Sequence, residues 1–249
     1  MNMNDSNNYK NAFEKFLKHT NEKLILLSEI EKYLGIYKVE SLLDVGAGSG
    51  EISVPLAKKV PRYLAVEKNP EFVTLLNQAG IETIAAEFPI AVQEKFDMVL
   101  ASHTISYRRP DFTNYIKGFI QTAWDLIESK GVFLVINSEG GNDDWYRFLK
   151  EIGEEGELEK NKTGYQETLE QLALLGEVKI EKVSTYVTTS NMVDTIDALA
   201  FVAGKGDPLR KDKILRHEDL IEKLLKQEYA TPEGFSFPVH HYFHLVQKS

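Results

Sequence analysis

The 249-residue chain carries 38 acidic and 29 basic residues, a formal charge of −9, and no cysteine. The missing thiols exclude disulfides, thiolate zinc sites and cysteine nucleophiles, and the acidic balance disfavours a phosphate backbone as partner. With 43% hydrophobic residues the chain can bury one large domain, or a domain with a substantial insertion.

The polar start, MNMNDSNNYK, has no hydrophobic stretch of the signal-peptide kind, and no apolar run approaches the ~20 residues needed to span a bilayer. A soluble, cytoplasmic protein is expected, with neither membrane nor nucleic acid as partner. Two helices open the chain, YKNAFEKFLKH and EKLILLSEIEKYLG, with Thr20 or Asn21 as N-cap of the second. Strands and helices then alternate. VESLLDV (39–45) is a strand and EISVPLAKKV (51–60) its helix; YLAVE (63–67) is the second strand. The next helix, NPEFVTLLNQAG, has Asn69 as cap, Pro70 in the first turn and Gly80 as terminator.

IETIAAE (81–87), FDMVLAS (96–102) and GVFLVIN (131–137) continue the strands, with an amphipathic helix at about 111–128 between the last two. Short apolar strands separated by helices predict a parallel sheet covered on both faces, with the loops after the strands gathered along one ligand-binding edge. Acidic helices fill 142–175. A strand at 177–187, two helices at about 191–203 and 212–228, and a last strand at 235–248 follow. Three regions are expected: an N-terminal helical cover (1–38), a cofactor-binding α/β core (39–140), and the remainder of the sheet (141–249) with a substrate-side helical insertion at about 190–230.

The stretch LLDVGAGSG (42–50) places Gly46, Gly48 and Gly50 between the first strand and its helix, where close backbone approach to a ligand is needed. The dinucleotide fingerprint would put a further glycine at 51, and that position is Glu51. With Asp44 two residues before the first glycine, the turn repels a pyrophosphate and suits an ammonium or sulfonium group. Glu67, ending the second strand, can accept both hydroxyls of a ribose. Glu87 and Phe88, ending the third, offer a carboxylate and a ring for adenine. Together these features describe S-adenosylmethionine.

The chain resembles the class I S-adenosylmethionine-dependent methyltransferases. LLDVGAGSG matches their first motif, and AVEKNP, AAEFPI and FDMVLASHTIS follow in order as the second to fourth, so the resemblance covers residues 39–137. It implies an α/β, doubly wound, mostly parallel seven-stranded sheet of the Rossmann-like methyltransferase kind with a helical cover. It also implies a cofactor set of Asp44, Gly46, Ala47, Gly48, Gly50, Glu67, Lys68, Glu87, Phe88 and Ser102. The glycines would wrap the methionine part, Asp44 and the Ser102 carbonyl would hold its amino group, Glu67 would take the ribose, and Glu87 with Phe88 the adenine.

The acceptor is read after the fourth strand. SHTI replaces the Asn/Asp-Pro-Pro-Tyr/Phe signature of adenine and glutamine-amide methylation, and Ser102 with His103 replaces the aspartate of metal-dependent catechol-type enzymes. On a strand His240 and His244 lie about 13 Å apart and His241 faces the other way, so HHYFH predicts no metal site. NAFEKFLKHTNEK, INSEGGNDDWYRFLKEIG and the helical insertion are similar to histamine N-methyltransferase. That similarity places His103 and His240 at substrate-contacting positions. It puts Lys18 where the amine-binding glutamate stands, which points to a different, carboxylate-bearing substrate.

The expected function is in-line methyl transfer to a small molecule, N-directed, with His103 orienting or deprotonating the acceptor and Tyr107 lining the site. An O-methyltransferase, or a non-catalytic protein that binds S-adenosylmethionine or S-adenosylhomocysteine, is the alternative.

Overall fold

The computed structural model describes residues 11–107, 109–138, 144–153, 155–204 and 208–249. In chain order its elements are α1 (11–17), α2 (Glu22–Tyr37), β1 (Ser41–Val45), α3 (Ser53–Ala57), β2 (Arg62–Glu67), α4 (Pro70–Gln78), β3 (Thr83–Ala85), β4 (Phe96–Ser102), α5 (Phe112–Asp125), β5 (Ile127–Asn137), α6 (Asp144–Glu151), α7 (Glu155–Ala173), β6 (Val178–Thr189), α8 (Met192–Gly204), α9 (Pro208–Leu215), α10 (Glu218–Glu228), β7 (Ala230–Thr231) and β8 (Gly234–Gln247).

The sheet runs β3-β2-β1-β4-β5-β8-β6, with the two-residue β7 added beside β8. β1 to β5 pair in parallel and β8 is antiparallel to β5. The seven-stranded, doubly wound, mostly parallel expectation holds. The order reverses between β1 and β4, which opens a crevice at their carboxyl ends.

Several boundaries move for local reasons. The helix after β1 is only five residues long, because Pro55 supplies no N–H for a longer ladder. β3 shrinks to three residues at the sheet edge, paired with β2 alone. α4 begins as expected: Asn69 Oδ1 accepts from the Glu71 N–H at 3.0 Å, and Pro70 opens the helix. The 212–228 helix is two helices, α9 and α10, separated at His217, whose Nδ1 lies 2.9 Å from the Lys213 carbonyl.

The chain divides into two compact units. One comprises the described residues of Lys23–Gly140, Lys160–Val183 and His241–Ser249. Strand alternation sorts its core onto two faces. Leu43, Val45, Val99, Ala101, Phe133 and Val135 pack with Phe112, Ile116 and Phe119 of α5. Leu42, Met98, Leu100, Leu134 and Ile136 pack with Leu26, Ile30 and Leu34 of α2 and Leu56 of α3. From Lys23 onward α2 therefore belongs to the sheet's own core, not to a separate cover ending at residue 38.

The other unit takes the described residues up to Glu22 together with those of 141–159 and Ser184–His240. Phe16, Phe148, Leu199, Ile221, Leu225 and Phe237 form its core. Asp197 accepts from Lys15 Nζ at 2.8 Å and Lys211 Nζ at 2.5 Å, tying α1 and α9 to α8. Among the described residues no helix is long and apolar enough to cross a membrane.

Candidate cofactor and active site

The glycine turn leaves β1 with three consecutive left-handed glycines in alternate positions, Gly46 at φ +75°, Gly48 at +62° and Gly50 at +102°. L side chains resist that region. At Gly46 space forbids a side chain as well, since a Cβ would sit 2.7 Å from Thr104 Cγ2. The Thr104 hydroxyl donates to the Val45 carbonyl at 2.6 Å, so the loop after β4 is bonded to the end of β1.

The turn is held from the β2 side. The N–H groups of Gly46 and Ala47 donate to the Val66 carbonyl at 2.7 and 3.3 Å. Glu67, 7% exposed, accepts from Gly48 N through Oε2 at 2.9 Å and from Asn69 N through Oε1 at 2.7 Å. Each carboxylate oxygen keeps a second lone pair for a ribose hydroxyl.

Asp44 lies beneath the turn, not in its mouth. It is buried, and its Oδ2 accepts from Ser53 Oγ at 2.6 Å and Tyr63 OH at 2.5 Å. Burial raises its carboxyl above the usual aspartate value, partly opposed by those two hydrogen bonds. Ser53 Oγ also reaches the Ala47 carbonyl at 3.1 Å, so Asp44 and Ser53 together brace the turn from inside. Glu51 is exposed and accepts from Ser49 Oγ at 2.7 Å.

At the end of β3, Glu87 Oε1 accepts from Lys68 Nζ and Arg109 Nη1, each at 2.9 Å. The Lys68 hydrogen bond is the main cause of its lowered pKa, assisted by Arg109. The Arg109 guanidinium lies 4.1 Å from the Tyr115 ring centroid, and burial pushes the Tyr115 hydroxyl up to about 12. Phe88 offers no exposed platform: it is 4% exposed, edge-on to Phe119 at 4.9 Å between centroids. Its contacts are those of a core residue, because Ile116, Phe119 and Ile120 of α5 cover the position.

Past β4, Ser102 presents its carbonyl to Thr104 Oγ1 at 3.2 Å. His103 has φ +54°, donates its N–H to the Ile136 carbonyl at 2.8 Å, and sets Nε2 3.1 Å from Nδ1 of buried His241. Tyr107 packs on the α5 face of the core, its ring 5.5 Å from Phe112, and α7 passes it at Gly164, where a Cβ would meet the ring at 2.7 Å. His240 is the last residue of the other unit, with Nδ1 2.9 Å from Ser184 Oγ.

The structure thus joins Gly48 to Glu67 directly, Gly46 and Ala47 to the neighbouring Val66, and Lys68 to Glu87 directly. Sequence reasoning missed Ser53, Tyr63, Thr104, Arg109 and Asn137, the buried amide that ends β5. Only Asn137 carried a local signal, a polar residue closing the apolar run VFLVI.

This turn, with its carboxylate partner on β2 and its bonded β4 loop, coincides with residues 43–135, which match the family model described as a methyltransferase domain. Residues 43–135 are thus similar to a methyltransferase domain. A probable ribosomal RNA small subunit methyltransferase A from Methanosphaera stadtmanae is 29% identical over 99 residues, 37% of this chain and 35% of its own length. A cobalt-precorrin-6B C(15)-methyltransferase (decarboxylating) from Salmonella typhimurium is 29% identical over 86 residues, 31% of this chain and 43% of its own. The chain therefore spans less than half the length of these curated relatives. A solved structure from Bacillus halodurans C-125, described as a "putative methyltransferase", shares the fold at 16% identity, covering 89% of this chain and 99% of that one with a TM-score of 0.55.

Residues 43–135 fit S-adenosylmethionine by their donor set. From Ser41 to Ala57 there is no lysine or arginine, and the side chains exposed there include the acidic Glu51. A diphosphate would meet only repulsion from these side chains; a sulfonium and an ammonium would not.

Proposed function

We propose that the chain is an S-adenosylmethionine-dependent methyltransferase acting on a small-molecule acceptor, with nitrogen favoured over oxygen as the nucleophile. The observation that carries this reading is the Gly48 N–H bonded to Glu67 at 2.9 Å in a turn without any cation. A pyrophosphate site would keep such N–H groups for its own anion.

S-adenosylmethionine, when bound, supplies an electrophilic methyl group. The chain's residues supply position. Gly46, Ala47, Gly48 and Gly50 let backbone approach the methionine part, Glu67 takes the ribose, and Glu87 with Lys68 borders the adenine. Asp44 acts through the turn it braces. In-line displacement then depends on alignment and on exclusion of water. His103, fixed by the Ile136 carbonyl and by His241, orients the acceptor or takes its proton, and Tyr107 lines the adjoining wall. The formal charge of −9 supports a small acceptor over a nucleic acid.

Isothermal titration with S-adenosylmethionine against NAD tests the cofactor: binding of the methyl donor alone is expected, and binding of NAD alone overturns the reading. Methyl-labelled cofactor offered to pooled metabolites and, separately, to ribosomal RNA tests the acceptor. Label in a small molecule is expected; label in RNA replaces the acceptor class, and binding without any label leaves a cofactor-binding protein.

A further inference from the structure

Asn137 is the last residue of β5 and only 3% exposed, yet its Nδ2 has no hydrogen-bond partner among the described residues. An unpaired buried amide of this kind costs about 1–3 kcal/mol, and buried polar side chains are rarely left so. Stability alone favours an apolar residue, as at every position from Val132 to Ile136. The amide is retained at a cost, at the carboxyl end of β5.

That place is the carboxyl edge of the sheet. Ile136 pairs with Ser102, the last residue of β4, and its carbonyl takes the His103 N–H at 2.8 Å. Asn137 is the next residue, opposite Tyr242 of β8. Alternation puts its side chain on the face of Phe133 and Val135, against which Tyr107 also packs. In open α/β sheets, ligands bind outside these strand ends.

We propose that Asn137 is a specificity residue whose Nδ2–H donates to an oxygen of the methyl acceptor, which is therefore a small molecule bearing a carbonyl or carboxylate oxygen. The inference rests on the function proposed above and narrows its substrate class. A donor already stripped of water bonds an incoming oxygen without further desolvation of the protein, whereas an acceptor lacking the oxygen leaves the amide unpaired. Sites built this way reject such analogues by up to about 10⁴-fold.

The test uses the full chain, Asn137→Leu and Asn137→Asp, with methyl-labelled S-adenosylmethionine. The acceptor panel holds amino acids, their amides and esters, and oxygen-free amines. The parent is expected to label oxygen-bearing members and not the oxygen-free amines. Asn137→Leu, of similar volume without the donor, is expected to keep or raise the melting temperature, to keep the cofactor affinity within twofold, and to lose labelling at least 100-fold. Asn137→Asp is expected to lose carboxylate acceptors more than amides or esters if the natural acceptor is a carboxylate, and both alike if it is a carbonyl.

Parental labelling by Asn137→Leu overturns the proposal, as does a parent that labels only oxygen-free amines or no panel member. A melting temperature several degrees lower in Asn137→Leu, or its failure to fold, also overturns it, because the amide is then satisfied structurally. Failure of the parent to bind S-adenosylmethionine sinks the proposed function instead.

Discussion

The backbone N–H of Gly48 and Oε2 of Glu67 stand 2.9 Å apart, so the carboxylate that ends β2 closes the glycine turn that ends β1. Its other oxygen takes the Asn69 N–H at 2.7 Å, at the cap of α4. One side chain thus sets the turn, the strand end and the following helix against one another before any ligand arrives. Preorganisation of this kind reduces the ordering cost of binding.

Glu67→Gln tests that arrangement. The substitution keeps shape but turns one acceptor oxygen into an NH₂ group facing a backbone N–H. Hydrogen bonds to charged groups contribute about 1.5–3 kcal/mol, so the variant should lose about that much stability. Its affinity for S-adenosylmethionine should fall at least tenfold. Calorimetry and titration measure the two effects separately, and an unchanged affinity would overturn the proposed ribose-binding role of Glu67.

Gly46→Ala combines two costs, the left-handed φ of +75° and the contact with Thr104. The first is about 1–2 kcal/mol and overpacking adds about 1–3 kcal/mol. Pairing it with Thr104→Ala, which removes Oγ1 and Cγ2, the two atoms nearest to such a Cβ, should recover part of the loss and leave the backbone part. Denaturant melts of the four-member cycle give both portions, and full recovery would show that φ is not limiting.

Asp44 gives the acid range a definite sign. Its carboxyl is raised in the folded protein, mainly by burial. The neutral form is thus the one folding favours. Its contribution is fully present below the ordinary aspartate value and is lost as pH rises from there through the raised value. Asp44→Asn has no proton to lose, so its stability should fall less across that window than the parent's. Thermal melts from acid to neutral pH check this, and parallel curves would count against it.

Much of this was written in local pattern. The alternation of strands and helices follows from short apolar runs separated by helical stretches, and FDMVLAS reappears unchanged as β4. The left-handed glycines of the turn were legible because φ preference acts residue by residue. Thr104 against Gly46, Tyr63 on Asp44 and Arg109 on Glu87 were not legible. Each joins residues 19 to 58 positions apart through the sheet's register or a loop, and no period in the chain encodes such a meeting. Phe88 shows the converse, since an aromatic at a strand end reads alike as platform or core until α5 is packed over it.

Arg109 should matter more to binding than to folding. Its side chain and that of Glu87 are 33% and 48% exposed, so the ion pair contributes about 0–1 kcal/mol. Arg109→Ala should shift the melting temperature little while weakening S-adenosylmethionine several-fold, because the loop after β4 loses its tie to the end of β3. Arg109→Lys keeps the charge without the planar stack on Tyr115 and should fall between them. High salt should narrow the difference between parent and variants, and equal affinities at low salt would dismiss the tie.

His103 carries two separable contributions, a strained backbone and a ring held 3.1 Å from His241. With φ at +54°, any L residue there is strained, whereas glycine is not. His103→Gly should therefore melt above His103→Ala, by roughly 1 kcal/mol in stability. If the ring orients or deprotonates the acceptor, both variants should lose about 10²–10⁴ in kcat/KM while binding S-adenosylmethionine as the parent does. His241→Ala should lower kcat less, because the His103 ring remains but swings free of its anchor. A kcat/KM for His103→Ala that matches the parent at every pH would take the ring out of the mechanism and leave only its backbone, bonded to Ile136, as the reason this residue follows β4.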